Sequence, residues 1–333
     1  MKHPILTYSL FFISSLFASD AKYQLGQGLQ LGDLPLYLGG YTSLEYSRPS
    51  EGNRVLKLEE LALMLYGEQD RFSYMIEMEA EDVYTEVFGN EAMEEQHQRF
   101  HIERLYFNYD FDENYAIKAG KYNSPIGFWN KNPINVLRDT TSSPIIVERL
   151  FPEYTTGLEF TYQTQNENML TINTMFQHSE DLDKTINDDI YNNFEIDQHF
   201  GLGVSFQNDD ITYQFNTGYF QMLTGTSYNY LLGSFNTNLS NEKIQGELGT
   251  QWKDGKNTLS YIGYLQWIHT LTEQHETILR VESYKDNEQS SKDTFLVFGY
   301  TYRPYFPVAL KAEYQWHSFN EKNQMLLSLS ILF

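Results

Sequence analysis

The chain has 333 residues, with 23 Lys and Arg against 45 Asp and Glu, a formal net charge of -22 and a pI near 4.6. This charge excludes nucleic acid as a partner, because phosphate binding needs clustered Lys and Arg. Cysteine is absent, which excludes disulfides and thiolate metal sites. Aromatic residues make up 16% of the chain while the mean hydropathy is -0.50, so the apolar residues are dispersed rather than gathered into long runs.

The N-terminal segment has the pattern of an export signal. Residues 5–17 form the longest predominantly apolar run and follow a basic residue, and this run is shorter than the roughly 18 residues of a spanning helix. The small residues Ala18 and Ser19 suit cleavage after either of them. We therefore predict a signal peptide over residues 1–19 and one exported domain over residues 20–333. A buried N-terminal helix is the alternative.

Alternation of apolar and polar residues recurs through the rest of the chain. Residues 200–206 and 211–219 place mostly aromatic and aliphatic side chains on one face and Gly, Ser, Thr, Gln or Asn on the other. About sixteen such segments, most of about ten residues, have the length of tilted strands that cross a bilayer. The predicted strands begin near Leu36, Val55, Phe72, Phe100, Tyr115, Thr156, Met169, His199, Ile211, Tyr230, Glu242, Asn257, Gln274, Asp293, Phe306 and Asn323.

The links between these segments sort into two classes. Links from an even-numbered strand to the next are short, as at residues 67–71 and 207–210, whereas the other links vary and are longest at residues 83–99, 123–155 and 179–198. Bacterial outer-membrane barrels have short periplasmic turns, longer outside loops and an even strand number. The predicted fold class is therefore all-β, a transmembrane antiparallel up-and-down β-barrel of about sixteen strands. A soluble β-sandwich, whose links have no reason to sort in this way, is the alternative.

Two segments resemble parts of known membrane proteins. Residues 325–333 alternate Leu and Ile with Ser and end in Phe333, which resembles the C-terminal signature of outer-membrane barrel proteins. The order of parts resembles Gram-negative porins, and residues 119–127 (Ala-Gly-Lys-Tyr-Asn-Ser-Pro-Ile-Gly) are similar to the strand-to-loop junction of phosphate-selective porin O/P-like proteins. The resemblance implies a trimer of sixteen-stranded barrels in the outer membrane, each with an inward third loop. Phosphate selectivity would require a series of inward Lys and Arg, which the sequence does not show.

The third outside loop, residues 123–155, is unusually apolar, with Pro-Ile-Ile-Val at residues 144–147. Loops of this length are normally functional, and a barrel of sixteen strands is too wide for its wall side chains to fill. We predict that the loop folds inward and sets the constriction of an aqueous lumen. Capping the rim or contacting a neighbouring subunit is the alternative. The candidate contacts for solutes on this loop are Lys131, Arg138, Asp139, Glu148 and Arg149.

Alternation also predicts the lumen wall. Arg104 and Lys118 lie beside the third loop, where they either oppose acids across a transverse field or form structural ion pairs with Asp110 or Glu159. Acids exceed bases on the predicted inward face, so we expect a weak preference for cations. The candidate contacts on the wall are Glu77, Glu79, Arg104, Lys118 and Glu159. The other predicted inward residues are Glu45, Glu60, Asp110, Glu247, Arg280, Glu282, Lys311 and Glu313.

Two clusters resemble metal-binding patterns without completing them. Asp181 and Asp183 begin like a calcium loop, but the Gly and Glu of an EF-hand are missing. His97, His101 and Glu103 have a spacing that suits zinc on a helix, but they run into a strand pattern and are expected in a solvated loop. Most acidic residues of the outside loops are expected to form a solvated surface. Bridging of divalent cations to lipopolysaccharide is the alternative.

The sequence shows no nucleophile elbow or other catalytic motif, so we expect neither enzymatic activity nor a cofactor. The pattern favours a porin for passive diffusion of ions and small hydrophilic solutes. Its expected partners are outer-membrane lipid, lipopolysaccharide, the solutes themselves and further copies of the chain in a homotrimer. A surface adhesin or receptor that uses the acidic loops, an anion- or phosphate-selective porin and an outer-membrane lipase are the alternatives.

Overall fold

A computed structural model describes residues 22–89, 99–187 and 191–333, and the predicted signal peptide lies outside these residues. Two short strands precede sixteen long strands, which form a closed barrel. The strands are β1 (Tyr23–Gln24), β2 (Gly28–Gln30), β3 (Leu36–Pro49), β4 (Arg54–Gln69), β5 (Phe72–Phe88), β6 (Arg99–Asp110), β7 (Tyr115–Asn123), β8 (Tyr154–Gln163), β9 (Asn168–His178), β10 (Ile196–Asn208), β11 (Ile211–Met222), β12 (Ser227–Leu239), β13 (Glu242–Lys253), β14 (Lys256–Thr272), β15 (His275–Asp286), β16 (Ser291–Tyr305), β17 (Val308–His317) and β18 (Gln324–Leu332).

In the described part of the chain, five short helical segments lie in the links between strands. They are the 3₁₀ turns Trp129–Lys131, Asn135–Leu137 and Asn320–Lys322 and the α-helices Ile145–Arg149 and Leu182–Asn187. Within the described ranges, no helix is long and apolar enough to cross a membrane.

The predicted fold class and strand number are confirmed. Each predicted strand begins within three residues of an observed one, and consecutive strands from β3 to β18 pair antiparallel. The links at one end of the barrel are short turns, such as residues 70–71 and 164–167, whereas the other end carries the long links at residues 124–153 and 179–195. The lengths of the links therefore predicted correctly which links lie at each end of the barrel.

The outer face of the barrel is apolar. On β10, Phe200 and Phe206 are 49% and 42% exposed, whereas Gly201 and Gly203 between them are buried. Phe200 lies opposite an exposed Phe176 on the neighbouring strand, and similar exposed aromatic and aliphatic side chains occur on most of the other strands. An apolar belt of this extent is unfavourable in water and suits the hydrocarbon core of a bilayer.

The barrel closes where β18 pairs with β3. The backbone nitrogen of Gly40 lies 2.8 Å from the carbonyl oxygen of Phe333, and the nitrogen of Phe333 lies 2.7 Å from the carbonyl oxygen of Gly40. A Cβ atom on Gly40 would lie 2.9 Å from the Phe333 ring and 2.3 Å from the carbonyl oxygen of Ala62. Glycine is therefore required for the last residue to pack here, and the closed ladder leaves no exposed edge between β3 and β18.

Neighbouring strands β6 and β7 separate towards the long-loop end. Their pairing runs from Asp110 opposite Ala116 to Leu105 opposite Lys121 and goes no further. Gly120, with φ of +128°, stands where the strands part, and a Cβ atom there would lie 2.0 Å from the carbonyl oxygen of Leu105. Residues 99–104 of β6 therefore pair with β5 on one side only, and their other side needs a different partner.

The helix Leu182–Asn187 supplies part of that partner. The backbone N–H of Ile102 donates a 2.8 Å hydrogen bond to Asp183, and Lys121 forms ion pairs with Asp183 and, at 3.1 Å, with Asp181. Both aspartates are almost fully buried, at 2% and 0% exposure. Asp181 and Asp183 are therefore exceptions to the solvated surface expected of most acidic loop residues, because they satisfy a lysine and a backbone donor where the strands separate.

Candidate pore constriction

The link between β7 and β8 lies inside the barrel, and we call its residues 124–153 the inward loop. Its first turn is held by the wall: the Oε1 atom of Glu247 accepts hydrogen bonds from the backbone nitrogens of Phe128 at 2.7 Å and Trp129 at 3.1 Å. The N–H of Gly127 donates to Asn216 at 3.1 Å. The inward fold of this loop is therefore confirmed, and a buried carboxylate satisfies backbone donors that the loop leaves unpaired.

Gly127 has a backbone conformation that side chains rarely adopt, with φ of +67°. A Cβ atom at this position would also lie 2.4 Å from the Glu247 carboxylate. The glycine in the segment Ser-Pro-Ile-Gly is thus needed both for the turn and for the close approach of the carboxylate.

The second half of the inward loop is held by charged residues of β15 and β17. Glu313 accepts a hydrogen bond from the backbone nitrogen of Thr141 at 3.1 Å, and Glu282 accepts one from Ile145 at 2.7 Å. Arg280 is fully buried, pairs with Glu282 at 2.7 Å and donates to the hydroxyl of Thr140 at 2.6 Å. These wall charges are partners of the loop, because each is buried and bonded to it.

The middle of the loop contacts side chains of β3, β16 and β17. Lys311 donates to the side-chain oxygen of Asn135 at 2.8 Å, and the amide of Asn135 donates to Glu45 at 2.7 Å. Arg303 donates to the carbonyl oxygen of Arg138 at 2.8 Å. The loop therefore spans the interior from β11 and β13 to β3 and β17, rather than following one side.

Apolar packing fixes the two ends of the loop. Ile126, Ile146, Leu150 and Phe151 have no exposed surface and belong to one cluster with wall residues of β9 to β12, β14 and β15. A Cβ atom on Gly249 would lie 2.3 Å from Leu150, so a glycine in the wall makes room for this contact. Burial of these side chains offsets part of the entropy lost in ordering a thirty-residue link.

The predicted solute contacts on the loop occupy three different places. Lys131 is exposed within the barrel, and its ammonium donates to Gln214 at 2.7 Å. Partial desolvation of the ammonium inside the barrel lowers the pKa of Lys131, although the charges of Glu247 and Glu159 oppose this shift. Arg138 is half-buried and donates to the carbonyl oxygen of Asn132 at 3.1 Å.

Asp139 pairs with Lys243 at 3.1 Å. Glu148 and Arg149 border an open cavity of about 290 Å³ shared with Asn193 and Tyr228, so these two predicted contacts lie apart from Lys131. The same cavity includes side chains of the link at residues 179–195 and of the last part of β15. It is a polar recess of a size that could hold a small solute.

The predicted wall contacts are paired or buried. Lys118 pairs with Glu159 at 3.1 Å, and Arg104 pairs with Glu77 rather than with the expected Asp110 or Glu159. Glu77 is fully buried and Glu159 is 3% exposed, so the bases, not the acids, of these two pairs reach water.

Lys131 feels the charges of both Lys118 and Glu159. These three predicted residues therefore interact electrostatically within the interior of the barrel.

Sequence reasoning missed the anchoring role of the wall. Alternation placed Glu247, Glu282 and Glu313 inward, but it gave no signal that they accept backbone N–H groups of the loop. It also placed His101 in a solvated loop, which is wrong, because His101 is 1% exposed inside the barrel. His97 lies outside the described residues.

The bulge in β5–β6 pairing explains the error on His101. The register shifts between Glu77 and Met78, so that Glu103 and Arg104, which are adjacent in sequence, both lie on the inner side. A bulge adds one residue and reverses the alternation beyond it.

No family model matches this chain, and no curated protein does. Solved structures of similar fold include Salmonella typhi OmpF in complex with daunomycin, at 10% identity and a TM-score of 0.61, covering 94% of this chain and 100% of that one. An anion-selective porin from Comamonas acidovorans has 11% identity and a TM-score of 0.60 over 89% and 98% of the two chains. Vibrio cholerae OmpT, an outer membrane protein solved in a trimer form, has 9% identity and a TM-score of 0.58 over 90% and 99%. The chain thus has the fold of outer-membrane porins.

Proposed function

We propose that this protein is an outer-membrane porin through which ions and small hydrophilic solutes diffuse passively. The observation that carries the proposal is the inward loop, which spans the interior of a sixteen-stranded barrel while the side chain of Lys131 on it stays exposed. Such a barrel is wide enough to hold water, and a loop anchored to facing walls sets the size of the remaining passage. No bond chemistry is needed for this function.

We further propose a weak preference for cations. Acidic side chains outnumber basic ones on the described inner surface, and Glu59 on β4 is only half-buried. A lumen with excess negative charge concentrates cations because its low-dielectric walls focus the field. Lys131 and Arg138 on the facing loop oppose this excess and give the passage a transverse field.

An anion-preferring pore is the second candidate. It is supported by the exposure of Lys131 and the partial exposure of Lys118, whose acidic neighbours Glu247 and Glu159 are buried. If the bases alone contact solutes at the narrowest point, anions would be favoured there. The finer likeness to phosphate-selective porin O/P-like proteins stays a prediction.

We also propose that residues 1–19 are a signal peptide and that residues 20–333 form the mature barrel in the outer membrane of a Gram-negative bacterium. The apolar outer belt supports contact with lipid and lipopolysaccharide. The likeness to an outer membrane protein solved as a trimer supports a homotrimer. We propose no enzymatic activity and no cofactor.

Single-channel recording of the detergent-folded protein in planar bilayers tests the function. We expect stepwise openings and a reversal potential in a salt gradient that indicates a weak preference for cations. An anion-selective reversal potential would establish the second candidate. Inserted barrels that conduct no current would overturn the porin and favour a surface receptor or adhesin.

A further inference from the structure

The wall formed by β3 to β6 holds buried acidic side chains that the proposed pore does not use. Glu77, Glu79 and Glu103 are at most 3% exposed and face the interior. Arg104 pairs with Glu77, but among the described residues neither Lys nor Arg forms an ion pair with Glu79 or Glu103. Buried carboxylates need hydrogen bonds, protons or a cation to remain in such a place.

The carboxylate of Glu79 is only partly satisfied by hydrogen bonds. One carboxylate oxygen, Oε2, accepts a 3.1 Å hydrogen bond from the hydroxyl of Tyr41. The other, Oε1, is fully buried, and no hydrogen-bond donor of the described residues reaches it. A buried oxygen without a donor is costly, so this atom points to a ligand that completes its bonding.

Two further side chains converge on Glu79. His101 lies directly opposite it across the β5–β6 pair, and Glu81 lies two residues further along the same face of β5. One donor atom from each of Glu79, Glu81 and His101 lies within 4.8 Å of the others. The Nε2 atom of His101 is 3.9 Å from Oε2 of Glu79, which is too long for a hydrogen bond but within the roughly 4 Å that two ligands of one zinc ion can span.

We propose that Glu79, Glu81 and His101 bind one divalent cation of the zinc class. An imidazole nitrogen with carboxylate oxygens suits zinc better than calcium or magnesium, which prefer oxygen ligands alone. The neighbouring groups orient these ligands: Tyr41 donates to Glu79, and the ring of Tyr191 stacks on His101 at 3.3 Å between centroids. Such supporting contacts fix the geometry of metal ligands.

The ion would join β5 to β6 beside the place where β6 parts from β7. Because Tyr191 belongs to the link at residues 179–195 and packs on the ligand His101, the ion would also secure that link against the wall. This role is independent of the proposed pore, so absence of metal binding would leave the porin proposal untouched, and absence of conductance would leave the site untouched.

Equilibrium dialysis with Zn²⁺ alone tests the site. The detergent-folded full chain, first treated with chelator, should bind one tight Zn²⁺ per chain, and Ca²⁺ at the same concentration should not displace it. His101→Gln and Glu79→Gln should each weaken binding about tenfold or more. The matched controls His178→Gln and Glu273→Gln change exposed residues and should bind as the unsubstituted protein does.

Heat-modifiable gel mobility verifies that each variant is a folded barrel. Should the variants fail to fold, X-ray absorption at the zinc edge of the unsubstituted, loaded protein remains decisive, because imidazole scattering together with oxygen ligands is expected. Folded protein that binds no stoichiometric zinc, equal binding in His101→Gln, or an ion without imidazole scattering would overturn the proposal. In that case the carboxyl groups are neutralised by protons instead.

Discussion

The carboxylate of Glu247 on β13 accepts the backbone N–H of Phe128 at 2.7 Å, so a residue of the wall holds the start of the inward loop. We predict that Glu247→Ala releases this turn, since hydrogen bonds to a charged group contribute about 1.5–3 kcal/mol. The variant should admit larger sugars in liposome swelling and show higher, noisier single-channel conductance. Glu247→Gln keeps an acceptor oxygen and is the control. Identical sugar exclusion in Glu247→Ala and the unsubstituted protein would contradict the anchoring role.

Gly127→Ala should destabilise the same turn through its backbone. The substitution places a Cβ atom at φ of +67° and 2.4 Å from Glu247, and strain of this kind costs about 1–3 kcal/mol. Gly255 has φ of +72° but open space around it, so Gly255→Ala isolates the effect of φ alone. The thermal midpoint of heat-modifiable mobility should fall further, and channel conductance should become more heterogeneous, in Gly127→Ala. Equal behaviour of the two variants would show that the Glu247 contact is unimportant.

Lys131→Glu should shift the reversal potential towards cations. Lys131 is exposed inside the barrel near Lys118 and Glu159, so reversing its charge changes the field where solutes pass. We expect the cation-to-anion permeability ratio to rise about twofold or more at low salt, and less at high salt because of screening. Lys256→Glu makes the same charge change at the exposed first residue of β14 and should leave the ratio nearly unchanged. A shift of equal size in both variants would mean that Lys131 acts only through net charge.

Glu153 should make ion selectivity depend on pH near neutrality. Burial raises the pKa of Glu153 from 4.5 to about 7, while the charge of Arg138 opposes the shift. Above pH 7 the carboxylate is charged and favours cations, so the cation preference should fall as the pH is lowered through 7. Glu153→Gln should remove this step in reversal-potential measurements from pH 5 to pH 9. A step that persists in the variant would assign it to another group.

The raised pKa of Glu153 also determines whether the stability of the fold rises or falls with pH. Between pH 4.5 and about 7 the native state holds a proton on Glu153 that the unfolded chain has released. This group's contribution therefore becomes less favourable to folding as the pH rises through that window. Glu153→Gln should flatten that part of the pH profile of thermal stability.

The sequence by itself determined the barrel. Residues such as Phe200 and Phe206 alternate with Gly201 and Gly203 because a strand turns successive side chains to opposite faces, and this period can be counted without knowing the neighbours. The alternation of short and long links can also be read from the sequence. Because consecutive strands are antiparallel, every second link lies at the same end of the barrel.

Only the tertiary structure decided how the interior is filled. The bulge between Glu77 and Met78 turned His101 and Glu103 inward, and no local pattern announced it. The sequence placed Glu247 on the inner face, but its bond to Phe128 joins residues 119 positions apart. Alternation assigns a side chain to a face, whereas its partner depends on where the folded chain brings distant backbone groups, and that position is set by all the packing contacts together.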